Sequence, residues 1–169
     1  MEFQLLLEKN PLWISPSFSQ EEAVYCAEKL QKELSILSIK PVGFPYALFQ
    51  FSWEYRNWSM HYTELLFCLV DRCHGVSASL EAAPLSQAPA NIICPPALFD
   101  ISTLEHTARR QAMQVQRGRL RRRSDMRLVD QKNILKPLWR IDAELPGYDK
   151  IKLLIDGLSG GYYLLEGAD

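Results

Sequence analysis

The sequence predicts an α+β fold of two similar halves, each a capped helix followed by an antiparallel three-stranded meander, with both helices packed on one face of the sheet. Residues 69–81 and 154–166 share five identities in thirteen positions at an offset of 85. Ser19-Gln-Glu-Glu22 and Ser102-Thr-Leu-Glu105 both have the sequence of a capping box and begin 83 residues apart. These two signals, which share nearly one period, indicate a duplication of a unit of about 84 residues.

The first half begins with one helix and continues into a hairpin. Apolar residues recur at helical spacing behind the first capping box, which predicts a helix over about 19–35. Pro41 and Pro45 end that region. Alternation of apolar and polar residues between Tyr46 and Tyr55 predicts a strand, and Tyr62 to Val70 predicts its return. An Asp71–Gly75 turn then leads to a third strand over 76–81.

The second half repeats this order after a proline-rich connector over 84–95. The predicted helix runs from 102 to about 116, and the predicted strands cover 138–145, 150–155 and 162–165. Residues 2–7 predict one further short strand. We therefore expect residues 1–169 to form a single domain built of two repeats, about 1–83 and 96–169.

Composition and charge limit the classes of function. The chain has 169 residues, 47% of them apolar and 23% charged, and a net charge of −1, so its total charge gives no preference for nucleic acid or membrane. No apolar run reaches the length of a membrane span, and the N-terminus lacks the pattern of a secretory signal. We therefore expect a cytoplasmic protein with reduced cysteines.

Three short segments resemble PepSY-type modules. They are Ser19 to Ala27, Leu69 to Gly75, and Ile155-Asp-Gly-Leu-Ser-Gly160 in the equivalent place of the second half. The resemblance covers about 60 residues of each half and implies a tandem of αβββ modules. Such modules are generally non-catalytic and bind or inhibit other proteins. This chain differs from them in its lack of a signal peptide and in an arginine-rich insert.

The arginine-rich stretch over 109–127 is the densest charge cluster in the chain. It contains eight arginines and, as its only acidic residue, Asp125. Arginine forks match phosphates and carboxylates, so RNA, DNA or an acidic protein surface could bind here; a solvated helix end and loop is the alternative. The candidate anion- or partner-binding residues are Arg117, Arg119, Arg121, Arg122, Arg123 and Arg127.

Aromatic residues surround the predicted hairpin tip between 53 and 62. Trp53 alternates with other large apolar residues, which favours a place in the core. Trp58 lies nearer the tip, and we expect it to be the exposed aromatic that contacts a partner.

The sequence predicts no catalytic residue, no metal site and no cofactor. Cys68, Cys73, His74 and Cys94 lack the paired spacing of zinc ligands. Cys73 and His74 are adjacent, so on a strand they point to opposite faces and do not form a nucleophile–base pair unless the turn brings them together. Asp71 and Asp156 recur at the same position of the two halves, where a turn-capping carboxylate explains both.

We therefore predict a non-enzymatic binding or assembly module that acts through protein–protein contacts. The alternative is a nucleic-acid-binding protein that uses the arginines of 109–127, and a small enzyme is the least supported class. The partner is expected to be a protein, and a homodimer could form through terminal strands such as 2–7 or 162–166.

Overall fold

The computed structural model describes residues 11–56, 58–116, 124–148 and 150–165. The helices are α1 (Gln20–Leu30) and α2 (Ile101–Gln116). The strands are β1 (Leu12–Ile14), β2 (Ser35–Arg56), β3 (His61–Asp71), β4 (Ser77–Leu80), β5 (Leu85–Gln87), β6 (Ser124–Glu144), β7 (Ile151–Asp156) and β8 (Tyr162–Leu165). The strand predicted over 2–7 lies outside the described residues.

The strands form a mixed, eight-stranded sheet. One path through it runs β4-β3-β2-β6-β1-β5, while β7 pairs with β6 and β8 pairs with β7. The sheet is mixed because β1 runs parallel to β6 at Trp13 and Leu135, whereas β2–β3, β3–β4, β6–β7 and β7–β8 are antiparallel.

The chain divides into two compact units. Unit 1 contains the described residues up to Phe44, Leu85–Pro95, and the described residues from Leu135 onward. Unit 2 contains Pro45–Pro84 and the described part of Pro96–Ile134. Each unit therefore combines segments from both halves of the sequence.

In unit 1, α1 packs against β7. Ala23 and Ala27 are the buried residues of α1, and their small side chains let the helix lie close to the sheet. Ile141 and Ile155 are fully buried in the same core. Trp13 and Trp139 pack edge to face with ring centroids 6.0 Å apart, which adds a directional contact to the burial.

Unit 2 packs α2 against β3 and β4. The helix buries Leu104, Ala108 and Ala112 among the side chains of β2 and β3. Phe49 and Phe51 are completely buried in this core, and each contributes about 1.5–3 kcal/mol by leaving water.

The predicted fold class is wrong. The chain does not form two helix-plus-three-strand repeats, because β1 and β5 join the sheet and its two longest strands, β2 and β6, have 22 and 21 residues. The helix of the first half packs on β7 from the second half, and the helix of the second half packs on β3 and β4 from the first. An apolar face shows that a surface must be covered, but not which element covers it.

Both predicted helices are present, but α1 ends at Leu30 instead of near residue 35, where β2 begins, and one predicted cap is wrong. Ser19 and Glu22 form the predicted capping box, with Ser19 Oγ accepting from the Glu22 N–H at 3.2 Å and Glu22 Oε2 accepting from the Ser19 N–H at 2.7 Å. The second capping box is wrong, because α2 begins at Ile101 and already includes Ser102. Asp100 has a carboxylate oxygen 3.2 Å from the Ser102 nitrogen and accepts its N–H.

The prolines of β2 do not end the strand, contrary to the prediction at 41–45. Pro41 and Pro45 lie before the β2–β3 ladder, which begins at the pair Tyr46–Asp71. Both proline carbonyls still accept hydrogen bonds, from Ile93 and Arg72 respectively. Since neither proline lies in the ladder with β3, its missing N–H removes no bond from that ladder. Among the described residues, no helix is long and apolar enough to span a membrane.

Candidate functional site

Most of the arginine-rich segment lies outside the described residues. Arg117, Arg119, Arg121, Arg122 and Arg123 belong to that part, and the prediction that they bind an anion or a partner stays a prediction. Arg127 is described and exposed, and its Nε lies 2.9 Å from a carboxylate oxygen of Asp125. The prediction that it contributes to binding nucleic acid or an acidic protein is likewise untested.

Arg109, in the middle of α2, contacts other residues of unit 2. Its guanidinium donates to Glu105 at 2.8 Å and to the Met126 carbonyl at 3.0 Å. It also lies over the Phe51 ring, 5.2 Å from the centroid. A side chain with these contacts braces the helix against the sheet of unit 2.

The tip of the β2–β3 hairpin carries the exposed tryptophan that the sequence predicts. Trp58 is 90% exposed and Met60, two residues on, is 55% exposed. Trp53 is only 1% exposed, and its ring stacks on the Tyr55 ring with the two centroids 4.4 Å apart. The predicted place of Trp53 in the core is confirmed. Partner binding by Trp58 stays a prediction.

Asp71 and Asp156 shape two turns in the same way. Asp71 Oδ1 accepts the N–H groups of Cys73 and His74, at 2.6 and 3.2 Å. Asp156 Oδ1 accepts those of Leu158 and Ser159, at 2.8 and 3.2 Å. The predicted turn-capping role of both carboxylates is confirmed.

The second carboxylate oxygen distinguishes the two turns. Asp71 Oδ2 lies 2.8 Å from Nδ1 of His74, whose side chain is 69% exposed. Asp156 Oδ2 lies 2.6 Å from Nζ of Lys136, and this pair is largely buried. Burial raises the pKa of Asp156, but the Lys136 ammonium and the N–H groups of Leu158 and Ser159 together outweigh it and hold the pKa below its usual value.

The cysteines of unit 2 are not activated as nucleophiles. Burial, followed by the negative charge of Asp71, raises the pKa of Cys73, whose thiol donates to the Pro96 carbonyl at 3.4 Å. Burial raises the pKa of Cys68 to about 11. Both thiols stay protonated at neutral pH. Within the described ranges, no three His, Cys, Asp or Glu side chains come together in a way that could hold a metal ion.

The strand β8 exposes apolar residues on both of its faces. The exposed fractions of Tyr162, Tyr163, Leu164 and Leu165 are 56%, 58%, 60% and 37%. β8 pairs with β7 and, within the described parts of the chain, has no second neighbour. The sequence indicated a terminal strand here, but not that both of its faces would be exposed.

Unit 2 also contains a cavity of about 420 Å³ beside the C-terminal end of α2. Its lining includes Gln116, which is buried and was not among the predicted site residues. A polar residue at the end of an amphipathic helix ordinarily faces water, so no sequence signal distinguished it.

In comparisons with known proteins, no protein-family model, no curated protein and no solved structure matches the chain. The resemblance to PepSY-type modules stays a prediction.

Proposed function

We propose that the protein is a non-enzymatic binding or assembly module that acts through protein–protein contacts, with β8 as its contact strand. The observation that carries this proposal is the exposure of all four residues of Tyr162–Leu165, two tyrosines and two leucines in a row. Removing apolar surface from water contributes about 25 cal/mol per Å², before the entropy lost on association is subtracted. A partner that covers these side chains therefore gains free energy that the isolated chain does not.

The backbone of β8 favours the same conclusion. An edge strand presents N–H and C=O groups that can pair with another strand. Natural proteins commonly protect such edges with charged residues or proline, and β8 contains neither. Its side chains and its backbone thus favour the same kind of contact, the addition of a further strand.

The partner of this proposal is a second copy of the chain. When two β8 strands pair antiparallel about a two-fold axis, Tyr162 can lie opposite Leu165 of the second copy and Tyr163 opposite its Leu164. Each tyrosine then contacts a leucine, and cross-strand pairs of an aromatic with an aliphatic residue stabilise a sheet. The strand is therefore self-complementary, as a two-fold interface requires.

Light scattering at increasing protein concentration tests the proposal. We expect the wild-type chain to form dimers and Tyr163→Lys to remain monomeric, because a lysine on an edge strand opposes pairing. Tyr148→Lys is the matched control, since Tyr148 is an exposed tyrosine of the same unit outside any strand, and it should dimerise like the wild type. A wild type that stays monomeric, or a Tyr163→Lys variant that dimerises normally, contradicts the proposal.

A further inference from the structure

The hairpin β3–β4 of unit 2 and the hairpin β7–β8 of unit 1 have the same construction. The pair Phe67–Leu80 in one ladder corresponds to the pair Lys152–Leu165 in the other at an offset of 85, and the other three pairs follow the same offset. In both turns the N–H of the glycine donates to the carbonyl of the capping aspartate at 2.8 Å. A helix that packs on one of these hairpins therefore shows what kind of element fits the other.

In unit 2, α2 covers one face of both strands of its hairpin. Cys68 and Val70 of β3 are buried with α2 in a common core. Their partners on β4 are Ser79 and Ser77, which share that face because directly paired residues of antiparallel strands lie on the same side of the sheet. The side-chain amide of Gln111, in α2, accepts from Ser77 Oγ at 3.4 Å and donates to Ser79 Oγ at 3.3 Å.

In unit 1, α1 packs on β7 but leaves β8 exposed. Leu153 and Ile155 of β7 are buried in the core that includes Ala23 and Ala27 of α1. The residues paired with them on β8 are Leu164 and Tyr162, which are 60% and 56% exposed. Two large apolar side chains thus lie where unit 2 has serines beneath a helix.

The side chains of β8 determine which helix would fit over them. On β4, the glutamine of α2 hydrogen-bonds to two serine hydroxyls. A glutamine amide buried against Leu164 would lose its water without such compensation. A leucine at that position of a helix would instead remove its own apolar surface, and that of Leu164 and Tyr162, from water. This face of β8 therefore fits the apolar stripe of an amphipathic helix.

We propose that an amphipathic helix of a partner protein packs on β8 beside α1, with leucine side chains over Tyr162 and Leu164. The helix covers this hairpin as α2 covers the hairpin of unit 2. The contact uses the face of β8 on the side of α1, whereas the pairing of two β8 strands uses the backbone along the edge. It does not depend on self-association, so either proposal can fail alone.

Fluorescence anisotropy with two labelled peptides tests the inference. One has the sequence of α2, Ile101–Gln116, with capped ends, and the other is the same peptide with Gln111→Leu. Leu104, Ala108 and Val115 lie on one side of this helix, and a leucine at position 111 completes their stripe. We expect the protein to bind the Gln111→Leu peptide at least tenfold more tightly, a ratio that corresponds to the burial of one leucine side chain. Circular dichroism should show a gain of helix on binding, since isolated helices of this length are marginal in water.

Two neighbouring tyrosines of β8 locate the contact. Tyr162→Ser should weaken binding of the Gln111→Leu peptide at least tenfold, because Tyr162 lies on the side of α1. Tyr163→Ser is the matched control and should bind like the wild type, since Tyr163 is 58% exposed on the opposite face. Tyr163→Lys should also bind the peptide, which separates this contact from self-association.

The inference is overturned if the wild type does not bind the Gln111→Leu peptide at millimolar concentration or binds both peptides equally. It is also overturned if Tyr162→Ser binds like the wild type, or if either variant of Tyr163 loses the peptide. A Tyr162→Ser variant that loses a wild-type dimer while Tyr163→Lys keeps it would show that a second copy covers this face in place of a partner helix, which contradicts the inference as well.

Discussion

Two short strands, β4 in unit 2 and β8 in unit 1, differ in what lies over them. Each has four residues, follows a turn capped by an aspartate, and pairs antiparallel with the strand before it. α2 packs on β4, and Gln111 of that helix hydrogen-bonds to Ser77 and Ser79. β8, by contrast, leaves two tyrosines and two leucines exposed.

The composition of each strand matches this difference. The small polar residues of β4 leave room for a helix and supply it with hydrogen-bond partners. The large apolar residues of β8 would gain most from a partner that excludes water from both faces. β4 and β8 hold equivalent positions in their meanders. Their side chains, and not their positions, therefore decide whether the strand packs in the core or offers a surface to a partner.

Truncating one leucine in each unit should give the largest difference in the free energy of unfolding. Leu104→Ala should lower the free energy of unfolding by about 3 kcal/mol, because Leu104 is 5% exposed and its removal leaves a cavity in the core of unit 2. Leu164→Ala on β8 should change it by less than about 0.5 kcal/mol. Urea denaturation at low protein concentration, where a dimer dissociates, measures both. Equal losses would mean that β8 is already covered within one chain.

Replacing the two capping aspartates by asparagine should give the next largest difference in stability. Asp156→Asn should destabilise the protein by about 2–3 kcal/mol, because it leaves the largely buried Lys136 ammonium without its carboxylate. Asp71→Asn should cost about 1 kcal/mol or less, since the His74 side chain opposite is mostly exposed. Denaturation at neutral pH compares them, and a larger loss at Asp71 would contradict the assignment of the buried pair.

Acid should remove the contribution of Asp156. Because the folded-state pKa of Asp156 lies below its ordinary value of 3.8, its ion pair stabilises the fold fully above that value and less as pH falls through the folded pKa. The difference in stability between wild type and Asp156→Asn should therefore be constant from neutral pH down to about 5 and shrink below about 3.8. Urea titrations across this range measure it, and a difference that does not change with pH would show that the carboxylate charge is not involved.

Much of the local structure could be predicted from the sequence. The capping box at Ser19, the alternation that produces the β2–β3 hairpin, and the capping role of Asp71 and Asp156 all depend on neighbours within a few residues. Trp58 could be identified as exposed because it lies at the hairpin tip. Such features follow from local periodicity and from short-range hydrogen bonds.

The rest depends on contacts that are distant along the chain. Whether α1 packs on β7 or on β3 depends on how the strands assemble, and both surfaces have the same amphipathic pattern. Pro41 was predicted to end a region because the sequence does not show which residues of β2 pair with the neighbouring strands. Gln116 gave no signal because its burial depends on β3 and β4, which lie far away in sequence.

The glycine in each of the two aspartate-capped turns allows a further comparison of their stability. Gly75 and Gly160 have φ angles of 72° and 71°, so alanine at either position should cost about 1 kcal/mol of backbone strain. At Gly160 the new Cβ would also lie 2.8 Å from the Phe18 ring, whereas at Gly75 the nearest side-chain atom is 4.0 Å away. Thermal unfolding should therefore show a larger loss for Gly160→Ala, and equal losses would mean that the Phe18 ring moves aside without cost.

The smallest expected effect is a gain in stability at the end of α2. In the same helix Gln111 has its amide satisfied by two serines of β4, while the buried Oε1 of Gln116 has no partner in the described part of the chain. Gln116→Leu removes that unsatisfied oxygen and keeps the volume similar, so it should raise the free energy of unfolding by about 1 kcal/mol. Gln114→Leu, at an exposed position, should change it by less than about 0.5 kcal/mol. A destabilised Gln116→Leu variant would instead show that the amide supports the fold.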